Sequence, residues 1–571
     1  MAMTTPTDAG TRQPGAPDDV AARAAEGMLG PNPFIGLRTQ DVFTAAGQVG
    51  VQALRQPALM FGEDGVLARM LSLAWSGVAP ATLAGADKRF ADPAWRDNPL
   101  YRLSLQGYLA WRNALADLVD RSALDDRSKE RAQFVTSLVT DALAPTNTLA
   151  GNPAALRRML ESGGASLVCG LSNALSDTLT NQCMPAQVDK RAFEVGRNLA
   201  TSPGAVVFSN EVLELIQYTP ATADVHARPH LIVPPQINKF YVFDLCEGKS
   251  IVEYLVRSEF QVFTVSWRNP TAAQRDWDLD TYVAALIEAI DAVREITGSA
   301  DVNLHGACSG AMTIAALLGH LASRGESAVH SATLMVAVLD NTVDSQIGLF
   351  ATPPTISAAK QGSAARGVLE GSEMGRVFAW MRPNDLVWNY WVNNYLMGNA
   401  PPAFDVLYWN SDTTRLPARL HAQLLDIFTQ NLFSRPRELS ILGTPVDLSE
   451  VTCDKYVVAG VTDHITPWKG VFNTARAFGG KTEFVLSSSG HIQSLINPPG
   501  NRRAKFFVNP ELCADPDAWL AGAQSVPDSW WSHWREWLAE RSGDKQSAPA
   551  SLGSERHPAG VAAPGRYVTE A

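Results

Sequence analysis

The chain has 571 residues, of which 46% are hydrophobic and 18% are charged. This composition is typical of a globular protein that buries a large core. The formal net charge is −11, and Lys and Arg form no long cluster, which argues against a nucleic-acid partner. The six cysteines are far apart and form no Cys-x-x-Cys pair. We therefore expect no structural zinc, no other metal and no cofactor.

The N-terminal 30 residues are polar and rich in Pro, Gly, Ala and Thr. They are predicted to form a disordered tail, and they lack the apolar core of a signal peptide. No stretch of the chain reaches the roughly 18–20 apolar residues that span a bilayer, so no transmembrane segment is predicted. The expected compartment is the cytoplasm, where thiols stay reduced.

Residues 31–204 are predicted to form a mostly helical N-terminal domain, because apolar residues recur at helical spacing between breakers such as 144–147 and 152–153. The predicted helices include residues 51–54, 66–73, 101–118 and 131–143.

Residues 205–543 have a different pattern, in which short apolar runs alternate with helical stretches at 250–257 and 279–296. This alternation predicts an α/β domain with a parallel sheet covered on both faces. The predicted strands are 205–208, 230–233, 259–265, 302–304, 332–339, 455–459 and 483–486.

An insert at about 341–440 interrupts the sheet and is rich in Trp and Tyr, among them Trp388. A long insert above the strand ends is where a lid or cap usually lies. The alternative is a helical decoration with an ordinary core of its own.

Four tryptophans share helical spacing near the end of the domain, and residues 544–571 after them are rich in Ala, Pro, Gly and Ser. We expect the tryptophans to pack a terminal helix onto the body, and a contact with a membrane-like or polymer surface is the alternative. The segment 544–571 is predicted to be a flexible tail. The four residues are Trp530, Trp531, Trp534 and Trp537.

The strongest chemical signal is the segment HGACSG at 305–310, which follows a predicted strand and precedes a predicted helix. Gly-x-Cys-x-Gly in this context is a nucleophile elbow with Cys308 in place of serine. The turn is tight enough to require flanking glycines, and the thiol stands at a helix N-terminus, which favours thiolate. The Ser309 backbone N–H would point into an oxyanion site. The alternative is a buried structural cysteine.

Two later residues have the context of an acid and a base in the usual order nucleophile, acid, base. Asp463 follows the strand 455–459, and His491 follows the strand 483–486. Asp340 is the rival acid. His464 adjoins Asp463, and neighbouring residues do not easily form the side-chain pair of a triad. We therefore interpret His464 as a possible supporting residue and not as the base.

His305 precedes the elbow and is expected to pack near it, with a base role less favoured. The remaining histidines lack comparable context.

A second oxyanion donor is expected in the loop after the strand 230–233, as in hydrolases. Pro234 and Pro235 have no N–H, so the donor lies at Gln236 or beyond, or just before the prolines. Ile237 and Asn238 are possible supporting residues in this loop, as is Trp388 in the insert.

Several long motifs in order resemble the polyhydroxyalkanoate synthases, and the similarity covers nearly the whole chain outside its tails. The single-subunit, medium-chain-length type known from pseudomonads (class II) is the most similar. The motifs are PPQINKFY (234–241), GACSG (306–310), NYWVNNY (389–395), YWNSDTTRLP (408–417), DHITPW (463–468) and GHIQSLINPP (490–499). One departure is Ala311, where the family usually has a second glycine.

The resemblance implies an α/β-hydrolase fold with a lid and an acyltransferase that polymerises (R)-3-hydroxyacyl-CoA into polyester with release of CoA. Cys308 would carry the acyl group as a thioester, His491 would act as general base, and Asp463 would orient it or help to activate the hydroxyl. The implied partners are the substrate, the growing polyester at a cytoplasmic granule surface, and a second copy in an active homodimer. A Cys-dependent thioesterase or ester hydrolase is the alternative activity, and an inactive granule-surface protein is the alternative class.

Overall fold

The computed structural model describes residues 87–343, 348–381, 383–463 and 465–570, with a few positions between 47 and 68. The chain divides into two compact units, and the first has its described residues mainly in 87–189 and 383–402. Its first part therefore ends at Asp189, earlier than the predicted boundary at 204. The predicted tail 1–30 and the helices predicted at 51–54 and 66–73 lie outside the continuously described residues.

The first unit is helical around a small aromatic core. The two longest described helices of this unit start at a side-chain cap: Asn98 accepts from the Leu100 N–H, and Asp125 accepts from the Ser128 N–H. The helices predicted at 101–118 and 131–143 are confirmed. The helices are Ala94–Asp97, Pro99–Asp120, Asp126–Ala142, Pro153–Glu161 and Ala165–Thr180. The core comprises Phe90, Trp95, Leu105, Tyr108, Leu109 and Ala144.

The middle of the predicted insert 341–440 belongs to this first unit. The Asn173 side chain donates to the Asn394 carbonyl at 3.0 Å, and the Tyr395 hydroxyl donates to Asp177 at 2.8 Å. These bonds satisfy polar groups on both segments, so the insert is not one continuous lid as the sequence suggested. The segment contains two π-helical stretches, Asn384–Trp388 and Trp391–Leu396.

The second unit is built on a ten-stranded mixed sheet with the order β1-β2-β5-β4-β6-β7-β12-β13-β14-β15. The central strands from β5 to β13 are parallel, as predicted, whereas β1, β2, β14 and β15 pair antiparallel at the two sides. The strands of this sheet are β1 (Gly204–Ser209), β2 (Leu213–Tyr218), β4 (His230–Val233), β5 (Val262–Trp267), β6 (Val302–Ala307), β7 (Val329–Met335), β12 (Asp454–Gly460), β13 (Thr482–Ser487), β14 (Phe506–Val508) and β15 (Gln524–Val526). Short two-stranded ladders are formed by β3 (Asp224–His226) with β16 (Lys545–Ser547), β8 (Val368–Leu369) with β9 (Leu416–Pro417), and β10 (Ser440–Ile441) with β11 (Thr444–Pro445).

Helices connect the parallel strands of the sheet, as the alternating pattern predicted. Every residue of β4, β5 and β6 is buried, which is what a parallel sheet covered on both faces requires. The helices of this unit are Ile251–Arg257, Leu279–Thr297, Ser309–Arg324, Pro353–Arg366, Gly371–Met381, Asp405–Ser411, Ala418–Gln430, Trp468–Ala477, His491–Leu495, Pro516–Ala521 and Trp530–Ala539.

The tryptophan-rich helix Trp530–Ala539 packs onto the sheet, as expected. All four tryptophans are buried, and Trp534 donates its ring N–H to the Thr333 hydroxyl of β7 at 2.8 Å. Their burial excludes the alternative contact with a polymer or membrane surface.

The C-terminal segment 544–571 is packed rather than flexible over its described residues, which corrects the sequence prediction. Its strand β16 pairs with β3, and the Val206 N–H donates to the Val561 carbonyl at 2.8 Å. The sequence predicts flexibility because the segment is rich in Ala, Pro and Gly and its apolar residues show neither helical nor strand periodicity. The segment is instead ordered by backbone hydrogen bonds, which composition does not reveal.

Candidate active site

Cys308 lies in the sharp turn between β6 and the helix Ser309–Arg324. Its backbone has φ 50° and ψ −121°, a strained conformation for a residue with a side chain. Its N–H donates to the Met335 carbonyl of β7 at 2.9 Å, which anchors the turn to the neighbouring strand. The thiol is partly exposed, whereas the residues on either side of Cys308 are buried.

The flanking glycines are required by close approach. A Cβ on Gly310 would overlap the carbonyl oxygens of Val233 and Pro234, and one on Gly306 would overlap the Ile314 side chain. The elbow glycines therefore let the loop after β4 lie directly against the nucleophile turn. Ala311 is fully buried within the helix, so the methyl group that the family usually lacks is accommodated in the core.

Asp463 and His491 follow neighbouring parallel strands, and the register of β12 on β13 brings the two strand ends to the same edge. His491 Nδ1 lies 2.7 Å from Asp463 Oδ2, and both side chains are almost completely buried. Asp463 is held by the N–H groups of Ile465 and Thr466 at 2.9 and 3.0 Å, and the Thr466 hydroxyl donates to Oδ2 at 2.6 Å. The carboxylate is thus fixed from two sides.

The pair has strongly perturbed protonation. Burial alone would lower the pKa of His491, but the Asp463 carboxylate and the Cys308 thiol raise that pKa to about 10. Burial opposes ionisation of Asp463, yet the charge and hydrogen bond of His491, with the Thr466 donors, lower the pKa of the carboxyl group. The pKa of His491 therefore depends on both Asp463 and Cys308.

The competing residues lie elsewhere in the second unit. Asp340 accepts hydrogen bonds from the Thr342 N–H at 3.0 Å and from the Asn431 amide at 3.1 Å. His305 is fully buried in β6, where it faces His230 at 3.3 Å rather than the thiol. The geometry therefore favours Asp463 and His491 over both rivals.

The loop 234–241 lies against the elbow through a small polar network. The Gln236 N–H donates to the Ser309 hydroxyl at 3.1 Å, and the Gln236 side chain donates to Thr313 at 2.8 Å. The Gln236 N–H is thereby occupied, which removes it from the oxyanion donors in this conformation. Ile237 and Asn238 follow in the loop, and the Ile237 carbonyl accepts from the Thr414 N–H at 3.1 Å.

Two of the predicted supporting residues, His464 and Trp388, are not part of the described second unit. His464 lies outside the described residues, and Trp388 belongs to the first unit. Sequence reasoning missed Thr466, whose hydrogen bonds fix the acid, and it considered Gln236 only as a backbone donor and not for the contacts that fix the loop. Thr466 lies three residues after Asp463, and an Asp side chain commonly accepts hydrogen bonds from residues that closely follow it in a turn. This local signal would have identified Thr466. Within the described ranges, no group of His, Cys, Asp or Glu is placed to hold a metal ion.

These features define a class: an α/β-hydrolase unit with a cysteine at the nucleophile elbow. In agreement, residues 229–498 match the alpha/beta hydrolase fold family. A solved monoacylglycerol lipase from Paleococcus ferrophilus is 12% identical and aligns over 58% of this chain and 98% of its own, with a TM-score of 0.31, which is too low to add to the assignment.

Comparison of sequences is more specific. Residues 86–255 match the poly-beta-hydroxybutyrate polymerase (PhaC) N-terminus family. Poly(3-hydroxyalkanoate) polymerases 1 and 2 of Ectopseudomonas oleovorans are 54% and 50% identical, over 97% and 94% of this chain and 99% and 96% of theirs. The chain belongs to the poly(3-hydroxyalkanoate) polymerase family.

Among the described residues, no helix combines the length and apolar character that crossing a bilayer requires.

Proposed function

We propose that this chain polymerises (R)-3-hydroxyacyl groups, of medium chain length, from CoA thioesters into a polyester with release of CoA. The observation that carries the proposal is the buried Asp463–His491 pair at the sheet edge, together with Cys308 in the strained turn after β6. The family membership supports the reaction, since the relatives at 54% and 50% identity are named as poly(3-hydroxyalkanoate) polymerases.

The first step is acylation of Cys308. His491 donates its Nδ1–H to Asp463, so its Nε2 takes the thiol proton and becomes imidazolium. The thiolate attacks the substrate thioester carbon, the C–S bond to CoA breaks, and CoA leaves as a thiol after taking that proton from His491. The raised pKa of His491 makes its imidazole a strong acceptor for the thiol proton. The Ser309 N–H at the helix start supplies one donor for the oxyanion.

The second step forms the ester bond. His491 removes the proton from the 3-hydroxyl of an acyl unit, and its oxygen attacks the acyl-Cys308 carbonyl carbon. The C–S bond to Cys308 breaks and an oxoester replaces a thioester. Asp463 keeps the imidazole oriented in both steps, and its carboxylate favours the imidazolium that forms transiently.

Water must be excluded from the acyl-enzyme, since its attack would release a free acid as in a thioesterase. The residues of the insert 341–440 that belong to the second unit are the proposed lid. The proposal extends to action in the cytoplasm at the surface of polyester granules, as a homodimer. The six cysteines are all free, which is consistent with the cytoplasm, where thiols stay reduced.

The deciding experiment follows CoA release and polymer formation together, with purified protein and (R)-3-hydroxydecanoyl-CoA. We expect both products from the wild type and neither from Cys308→Ala. Cys169→Ala is the matched control, because Cys169 is exposed on a helix of the first unit, and it should behave as the wild type. Release of CoA with free 3-hydroxy acid alone would show a thioesterase instead, and activity in Cys308→Ala would contradict the proposed nucleophile.

A further inference from the structure

The described end of the chain lies against the loop that borders the elbow. The Lys239 ammonium group donates to the Glu570 carbonyl at 2.7 Å and lies 3.4 Å from the Tyr567 carbonyl. These oxygens belong to the 3-10 turn Tyr567–Thr569 and the residue after it, and the Tyr567 carbonyl also accepts the Glu570 N–H at 3.3 Å. The lysine therefore caps a short helical turn from outside it.

Lys239 is buried, so its charge depends on these partners. Only 4% of the residue is exposed, and burial lowers the pKa of its ammonium group, while the charges of Asp412 and Glu570 oppose that shift. A buried ammonium group without acceptors is strongly unfavourable. The backbone of Lys239 is held as well, because its carbonyl accepts the Trp409 ring N–H at 2.8 Å.

The C-terminal peptide has its own anchors on the second unit. One oxygen of Glu214 accepts the backbone N–H groups of Arg566 and Tyr567 at 2.8 and 3.0 Å. The Arg268 guanidinium lies 4.3 Å from the centre of the Tyr567 ring, whose hydroxyl donates to the Asn210 carbonyl at 2.7 Å. The peptide is therefore positioned independently of the loop, and it offers Lys239 a fixed partner.

The contact of Lys239 with the C-terminal peptide is only three residues further along the chain than the contact of Gln236 with the elbow. Gln236 bonds to Ser309 and Thr313 at one end of the segment, and Lys239 bonds to the C-terminal peptide at the other. The candidate donors Ile237 and Asn238 lie between these two fixed points. Displacement of Lys239 would move the backbone on which an oxyanion donor depends.

We propose that residues 566–570 are a positioning element for the oxyanion loop, acting through Lys239. The inference rests on the proposed function, because it concerns the same thioester chemistry. Lys239 is a positioning residue and not a catalytic one, since its ammonium group contacts the C-terminal peptide rather than the reacting atoms.

The test compares Lys239→Met, a variant truncated after Gly565, and the combination of the two. We expect kcat for CoA release to fall roughly 10- to 100-fold in each single variant with little change in KM, because a misplaced donor weakens only the transition state. The double variant should be no slower than the truncated one, since both changes break the same contact. Lys545→Met is the matched control: Lys545 is also in the C-terminal segment, but its partner is the exposed Glu259.

A second measurement separates positioning from folding. A synthetic peptide of residues 566–571, added in excess, should restore activity to the truncated variant but not to the double variant. The proposal would be overturned if the losses in kcat of the two single variants added in the double variant and were proportional to the decrease in the thermal unfolding midpoint. Wild-type kcat in both single variants would overturn it as well. Release of free 3-hydroxy acid without polymer by the wild type would instead show that the proposed function itself is wrong.

Discussion

Two buried histidine sites lie along the same sheet and differ in what surrounds the ring. At the strand ends, His491 meets the Asp463 carboxylate, and its pKa is raised to about 10. In the interior, His230 faces His305 and the Trp534 ring, and burial lowers the pKa of His230 to about 3. Burial acts in the same direction at both sites, so the nearby charge decides which histidine carries a proton at neutral pH.

The comparison teaches where chemistry is placed in this fold. The interior of β4 and β6 tolerates histidine only as a neutral packing residue, because no counter-charge is present there. The loops after β12 and β13 supply a carboxylate with fixed donors, which raises the pKa of a buried histidine.

The largest expected effect tests the charge at the strand ends. Asp463→Asn keeps the size of the side chain but removes the negative charge, so we expect CoA release to fall on the order of 10³-fold. The pKa of His491 should fall as well, which NMR of the ring protons measures. Asp340→Asn is the control, because Asp340 accepts hydrogen bonds from Thr342 and Asn431 instead, and it should retain activity. Equal losses in the two variants would reject the assignment of Asp463.

A substitution at the interior histidine site should lower the stability of the fold and not the activity. His230→Ala removes a fully buried ring between His305 and Trp534, so we expect a loss of about 2–4 kcal/mol in the free energy of unfolding. Turnover per folded molecule should be unchanged, as measured by the CoA assay divided by the folded fraction from circular dichroism. A specific loss of turnover at full stability would show that the interior pair takes part in the chemistry.

The two sites should also give opposite dependence of stability on pH. The folded-state pKa of His230, about 3, lies below the unfolded value of about 6.5, so its neutral state stabilises the fold at high pH, and that stability is lost as the pH falls below 6.5. Between pH 8 and pH 5.5 this loss is about 1.4 kcal/mol. The pKa of His491 is raised, so its contribution is complete below pH 6.5 and is lost as the pH rises through about 10.

Thermal unfolding midpoints at pH 5.5, 8 and 10.5 measure both effects. His230→Leu should be less sensitive to acid than the wild type, and Asp463→Asn should be less sensitive to alkali. Identical pH curves for the wild type and both variants would contradict the assigned protonation states.

The smallest expected effect concerns the hydroxyl group that supports Asp463. Thr466→Val removes one hydrogen bond of 2.6 Å but leaves the backbone donors of Ile465 and Thr466, so we expect a loss of about 1 kcal/mol, or roughly fivefold in rate. Thr466→Ser restores the hydroxyl and should recover most of the rate in the CoA assay. Failure of Thr466→Ser to recover would assign the effect to packing of the methyl group.

Much of the site could be predicted because its signals are local. Gly306 and Gly310 mark the elbow by their spacing around Cys308, and each strand that precedes Asp463 and His491 is a short apolar run. Strand, turn and helix succession is enough to place the three residues at the same edge of a parallel sheet.

The sequence by itself therefore determined the α/β pattern, the elbow and the candidate acid and base, because periodicity and turn chemistry act over a few residues. Only the tertiary structure decided which carboxylate meets His491, that the middle of the insert joins the helical unit, and that the C-terminal segment packs. Those outcomes depend on side chains and backbone groups far apart in the chain, such as Lys239 and Glu570, whose pairing leaves no trace in local composition.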